Sequence, residues 1–361
     1  TVERYKRLSA GGWGIVYLEA IAADERGKAR PGQLVLSDKN IDSFKRLADA
    51  IRAAAEPAPL IIFQLNHAGR YALKPLFAYH SELLDPTWNI TPDMREATSA
   101  ELDEASEAMA GAVVRAALAG ADAIDLKCCH GYLAAELFRP ANIRTDGYGG
   151  SYENRTRFFK AMLGAARAAA AENGVLFGAR VSMQECFAGG IASGGPDGLE
   201  FDPSELDLFL SELGAAGASF TCETAGIPYL DPFVVRPWAK QENRDEALSL
   251  HHKLTAHVKR NHPGLAVIGA GYTLLGPGFA ETAARNINKN EIDFIGLGRQ
   301  SFADPETPKK LFGGDAVSVK WCKGCKTNNC SALLRGRAVT GCVIYDDFYK
   351  ERLAELRNSA K

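Results

Sequence analysis

No stretch of this chain is apolar for the roughly 20 residues that a membrane-spanning helix requires, so the sequence offers no bilayer segment. A charge excess is missing too. Against 42 Lys and Arg stand 44 Asp and Glu, a formal net charge of -2. That balance gives no reason to expect a nucleic-acid or anionic membrane-surface partner. The first residues, TVERYKRLSA, carry charge and read as helix, so no secretory leader is expected there. Low-complexity tracts are absent, and Ala-rich runs such as Ala161–Ala171 are good helix formers. Cysteine is sparse. Eight are spread over 361 residues, and half of them fall between Cys322 and Cys342. This is not the pattern of a secreted disulfide framework. It reads better as a metal site in a protein of the reducing cytoplasm.

What the chain does contain is an alternation of short apolar runs and longer helical patterns. Its length allows one large α/β barrel with appendages, or two medium domains. Strands are expected at Trp13–Ala20, Leu60–Leu65, Ala123–Leu126, Val175–Val181, Ser219–Cys222, Ala266–Gly269 and Ile292–Leu297. Helices are expected at Asp42–Ala55, Glu104–Leu118, Glu153 to about Glu172, Pro203–Ala216, Glu246–Arg260 and Pro277–Asn286. These strands are too uniformly apolar to have one solvated face, which argues for a parallel sheet covered by helices.

The stretch Ala121–Phe159 organises the rest. A buried-strand pattern, Ala-Ile-Asp-Leu, runs into Lys127, His130 and Tyr132, three side chains able to move protons. A Gly-rich loop (Gly147, Gly149, Gly150) and a charged helix start follow. In an α/β barrel, catalytic groups sit at the carboxyl ends of strands. His130-Gly131-Tyr132-Leu133, then RTDGYGGSYENRTRF from Arg144 to Phe158, resembles the old yellow enzyme family of flavin oxidoreductases. The run is long enough to be specific. Two further segments match the family: QLNHAGR from Gln64 to Arg70, and IDFIGLGRQSFADPE from Ile292 to Glu306.

The resemblance implies a TIM (β/α)8 barrel over residues 1–312, binding FMN and using NAD(P)H as co-substrate. Only seven strands are counted, and TVERYKRLSAGGWG resembles the family's first helix and the turn into its second strand. The expectation is a barrel lacking its first strand, in a chain truncated before it. By position, Gln64 would bind the flavin pyrimidine, since an amide both donates and accepts. Arg180 would lie beside the same edge, where a fixed cation raises the flavin potential. His67 would be a positioning residue or a scaffold histidine. Gly269, Ala270 and Gly271 after one strand, and Gly296, Gly298 and Arg299 after the next, would hold the phosphate. His130 and Lys127 would hold a carbonyl above the flavin, and Tyr132 would be the proton donor. At the position of Lys127 most of the family has His or Tyr, so a simple enone is not the assured substrate. Lys127 could instead pair with Glu19 or another acid.

The cysteines read Cys322-x2-Cys325-x4-Cys330-x11-Cys342. This resembles the iron–sulfur segment of the 2,4-dienoyl-CoA reductase and trimethylamine dehydrogenase branch, which has three residues at the middle spacing. Four thiolates can hold a [4Fe-4S] cluster or a structural Zn²⁺. Residues 313–361 would form a cysteine-containing C-terminal extension. A cluster there would call for an electron-transfer partner protein, and a homo-oligomer is left open. The expected activity is hydride transfer to an activated alkene. Three other readings stay open. The first is amine oxidation or demethylation with electrons leaving through the cluster. The second is a lyase or aldolase using Lys127 as a Schiff-base nucleophile. The third is a catalytically inactive binding subunit.

Overall fold

The structure is a computed structural model that describes residues 1–326, 329–336 and 338–359. Seven parallel strands form one curled sheet in sequential order. They are β1 (Ile15–Ala22), β2 (Leu60–Asn66), β3 (Ala123–Cys128), β4 (Leu176–Gln184), β5 (Phe220–Ala225), β6 (Ala266–Gly269) and β7 (Phe294–Ile295). Each strand is followed by a helix: Ile41–Arg52, Ser99–Leu118, Tyr152–Asn173, Ser204–Ala215, Arg244–Asn261, Phe279–Asn288 and Gly298–Ala303, in turn. This is a partial (β/α)8 barrel, one strand short of the eight that close such a fold. No described helix is long and apolar enough to cross a membrane.

The helix boundaries have local causes. The helix after β2 begins at Ser99, earlier than the hydrophobic pattern suggests. Thr98 caps it by accepting the Glu101 N–H at 3.3 Å, while the Glu101 carboxylate accepts the Thr98 N–H at 2.9 Å. That reciprocal pair is a capping box. The helix after β3 stops at Gly174, whose φ of 68° lies in the left-handed region that glycine adopts freely. Strand β7 is shorter than the apolar run that encodes it. Its pairing is confined to Phe294 and Ile295 against Ile268 and Gly269.

The two faces of the sheet differ. Ile61, Phe63, Leu65, Ile124, Leu126, Ala179, Val181 and Val267 point outward into the main core shared with the helices. Ile62, Ala123, Phe220, Cys222 and Ile268 fill the inside of the curl, with Tyr17 packed against them. Phe220 occupies the space over Gly178, where a β-carbon would fall 2.2 Å from the Phe220 carbonyl oxygen.

The sheet's two outer strands are β1 and β7. Beside them, segments from opposite ends of the sequence join. The Trp13 indole N–H donates to the Pro305 carbonyl at 2.6 Å, and the Lys309 N–H to the Gly11 carbonyl at 3.0 Å. Further along the chain, Leu333, Ala338, Val343 and Leu353 form a small separate core.

Candidate active site

Parallel register sets the site. Gln64 pairs with Asp125 across β2 and β3, and Lys127 with Arg180 across β3 and β4. Arg180 in turn pairs with Cys222 on β5. Side chains two apart share a face, so Gln64, Asp125, Lys127, Arg180 and Cys222 line the inner face toward its carboxyl end. Gln64, Asp125, Lys127 and Cys222 are buried, and Arg180 is half-buried. The Gln64 amide donates to Asp125 Oδ2 at 2.5 Å. Burial raises the Asp125 carboxyl to about 6, against the pull of the Gln64 hydrogen bond and the Arg180 charge. Arg180 donates to the Glu223 carbonyl at 3.5 Å. Its guanidinium lies above the usual range because nearby acidic groups outweigh desolvation, with Cys222 the first of them.

Above this layer stand Lys127, His130 and Tyr132. Burial lowers the Lys127 ammonium to about 8. Its Nζ lies 3.6 Å from the centroid of the Tyr132 ring, a cation–π contact. Glu19, a candidate partner for Lys127, is held by Arg4 and Arg30 instead. His130 has a φ of 61°, a left-handed conformation that a non-glycine residue rarely takes and that clusters at functional sites. Its N–H donates to the Ser182 hydroxyl at 3.2 Å, and its Nε2 meets the Thr224 hydroxyl at 3.0 Å. Burial first, then the Lys127 charge, keeps the ring neutral by pulling it well below the imidazole range. Tyr132 is pushed well above the phenol range by burial and then by Tyr229, so it holds its proton.

The aromatic wall around Tyr132 was not evident from the motifs. Tyr229 stacks on Tyr71 at 3.8 Å, and its hydroxyl lies 3.3 Å from that of Tyr132. Trp88 packs edge-on against both Tyr71 and Tyr229. A signal existed in the density of aromatics, but no spacing linked Tyr71 and Trp88 to Tyr229. The segment bearing Tyr229 continues across the face. The Pro237 carbonyl accepts from Arg299 at 2.8 Å, and the Ala239 N–H donates to the Gly324 carbonyl at 2.8 Å. His67 is buried, lowered to about 4 by desolvation, and its Nδ1 accepts the Gly69 N–H.

The two glycine clusters lie side by side at the ends of β6 and β7, where the Gly296 N–H donates to the Gly269 carbonyl at 2.8 Å. A β-carbon on Gly296 would fall 2.8 Å from that same oxygen, so close backbone approach requires glycine. Gly298 borders open space and starts the last barrel helix. Gly271, with φ of 87°, faces the His251 and His252 side chains. The Ala270 N–H is already engaged: it donates to Glu223 Oε2 at 3.2 Å.

Two buried polar atoms of the inner layer, Asp125 Oδ1 and Arg180 Nε, have no hydrogen-bond partner among the described residues. Orphaned polar atoms at this depth are costly unless a ligand satisfies them. Donor and acceptor atoms side by side fit the polar edge of a flavin ring, and the glycine cradle fits its phosphate end.

The four cysteines lie in one region. Cys322 is within electrostatic reach of Cys330 and Cys325, and Cys330 of Cys325 and Cys342, with Arg299 beside them. Among the described residues, no three His, Cys, Asp or Glu side chains converge closely enough to hold a metal ion.

Comparison with known proteins bears on the family and the fold. An NADH oxidase of Thermoanaerobacter brockii is 29% identical over 334 residues, covering 90% of this chain and 47% of that protein. An NADH:acrylate oxidoreductase of Vibrio harveyi is 28% identical over 324 residues, covering 87% of this chain and 30% of that protein. In fold, the chain is similar to a 2-naphthoyl-CoA reductase solved with 2-naphthoyl-CoA. The TM-score is 0.79 at 24% identity, over 95% of this chain and 51% of that one. The chain thus spans about half or less of the length of these relatives. The model of the NADH:flavin oxidoreductase / NADH oxidase family matches residues 1–315, and the chain belongs to that family.

Proposed function

We propose that this chain is the FMN-binding part of an NAD(P)H-dependent oxidoreductase that reduces an activated alkene. The observation that carries the reading is the stacked inner face: Gln64, Asp125 and Arg180 below, Lys127, His130 and Tyr132 above. When bound, FMN supplies the hydride chemistry, accepting from a nicotinamide and donating to the alkene. Gln64 and Arg180 would hold its ring edge, and Gly271, Gly296, Gly298 and Arg299 its phosphate end. Gly269 shapes that cradle, while Ala270 contributes through its backbone position. Neutral His130 and cationic Lys127 would polarise the substrate carbonyl, which makes the β-carbon electrophilic. Tyr132 would protonate the α-carbon. The Lys127 charge against its ring favours the phenolate left behind. The resemblance to an NADH:acrylate oxidoreductase supports an enoate as the acceptor.

We also propose residues 313–361 as an extension on a barrel of residues 1–312, with residues 327, 328, 337, 360 and 361 outside the described structure. Four thiols in one region suit a [4Fe-4S] cluster or a Zn²⁺, and their place beside Arg299 favours a second reading. In that reading the substrate is an amine, whose oxidation FMN would supply when bound, with a partner protein taking the electrons. Turnover of acrylate-type enoates with NADH or NADPH, set against amines with a dye acceptor, separates the two. Iron and labile-sulfide analysis of anaerobically purified protein tests the cluster. A colourless protein that binds no FMN on reconstitution would overturn both readings.

A further inference from the structure

Outside the proton-handling set lies a buried pair that the reaction does not use. Glu223, at the end of β5, and His251, on the helix Arg244–Asn261, are both fully or almost fully buried. His251 Nδ1 meets Glu223 Oε1 at 2.8 Å, and His251 Nε2 meets the Val234 carbonyl at 2.9 Å. Glu223 Oε2 accepts the Ala270 N–H from the glycine cradle. The pair therefore ties three pieces together: the β5 end, the Gly269–Gly271 turn, and the segment from Ile227 to Ala239 that carries Tyr229.

Hydrogen counting constrains its state. A backbone carbonyl only accepts, so Nε2 must carry a proton. The contact between Nδ1 and Oε1 needs a second proton, wherever between the two atoms it rests. A neutral imidazole facing an ionised carboxylate has only one proton for two bonds. The pair must retain the extra proton to hold both Glu223 and Val234.

We propose that Glu223 and His251 form a proton-dependent latch that seats the Ile227–Ala239 segment over the active face. They act as positioning residues, and the proposal rests on the reading that this face is the flavin and substrate site. Burial first, and then the Arg180 charge, work against the proton, whereas Glu223 and the Val234 carbonyl retain it; the neighbouring His130 and His252 are themselves lowered, by burial first and with His251 among the further causes. The balance lies with retention, since the His251 ring is raised above its ordinary value. A raised basic group contributes fully below the ordinary imidazole range. Its contribution is lost as pH climbs through the raised folded value. The segment should therefore loosen on the alkaline side and withdraw Tyr229 from Tyr132.

The test is hydrogen–deuterium exchange of peptides covering residues 227–239, corrected for intrinsic pH effects, with and without FMN. His251→Ala should exchange about tenfold faster there than wild type, the fold-change of one lost hydrogen bond. Wild type should quicken as pH rises. Glu223→Gln is the conservative variant, because its amide can donate to Nδ1 and leave Nε2–H on Val234 with no extra proton. Its exchange should stay slow and lose the alkaline rise. Equal exchange in His251→Ala and wild type would overturn the latch. A rise in Glu223→Gln matching wild type would overturn its proton dependence. Neither readout needs turnover, so failure of the flavin reading shows separately, in loss of FMN binding.

Discussion

Along β3, neighbouring residues meet opposite fates. Ile124 and Leu126 disappear into the apolar layer beneath the helices, while Asp125 and Lys127 face a polar chamber inside the curl. Both faces are buried, yet only one is uniformly apolar. The outer face gains its stability from area removed from water. The inner face holds a carboxyl and an ammonium whose proton affinities burial has shifted, and a guanidinium raised by its acidic neighbours against burial. The difference teaches that one strand can serve stability and chemistry at once, because its side chains alternate.

That contrast can be broken deliberately. Tyr132→Phe, on the chamber side, should slow the alkene half-reaction by roughly 10²–10⁴-fold, the usual worth of a general acid. Flavin reduction by nicotinamide should be nearly unchanged, and stopped-flow kinetics separates the two halves. Equal slowing of both would remove Tyr132 as a dedicated donor. Phe63→Ala, on the outer side, should do the reverse. It should cost ~3–5 kcal/mol of stability in chemical denaturation and leave the turnover of folded enzyme close to wild type.

Cofactor contacts come next in size. Arg180→Ala and Arg299→Ala should each weaken FMN retention by an order of magnitude or more, from about 1.5–3 kcal/mol per charged contact. Titration of apoprotein with FMN measures this, and unchanged affinity in both variants would displace the flavin from this face. The smallest effect concerns pH. Lys127 polarises a carbonyl only when protonated, and burial has brought its ammonium down to about 8. Alkene reduction should therefore fall as pH climbs through that value. Lys127→Met should be slower at neutral pH and lack this limb. A limb that persists in the variant belongs to another group.

The sequence made the seven strands legible because uninterrupted apolar runs between helical patterns have few other solutions. Lys127, His130 and Tyr132 could be found because each lies at or just beyond a strand end, whereas Gln64 lies inside β2 and Arg180, expected to end its strand, sits in the middle of β4. Tyr229 stayed hidden. It reaches Tyr132 across 97 residues of sequence, and nothing local marks it. The engagement of Ala270 was equally invisible, since it depends on the burial of Glu223 on another strand. The cysteine spacing suggested a ligand shell, whereas proximity of thiols and convergence on one point are different properties. Local pattern reports what a residue is next to in the chain, and these features depend on what the fold brings from elsewhere.

The junction between Trp13 and Pro305 joins residues 292 positions apart. A contact of that sequence separation cannot form early, because the intervening strands and helices must first be placed to bring its partners within reach. Entropy adds only a slowly growing penalty for loop length, so the limiting factor is order of assembly. The tolerance at the junction is small. A β-carbon at Gly11 would fall 2.0 Å from the Pro305 carbonyl oxygen. The curl of the sheet is thus gauged at this junction, where a glycine backbone leaves little room for a strand of the wrong pitch.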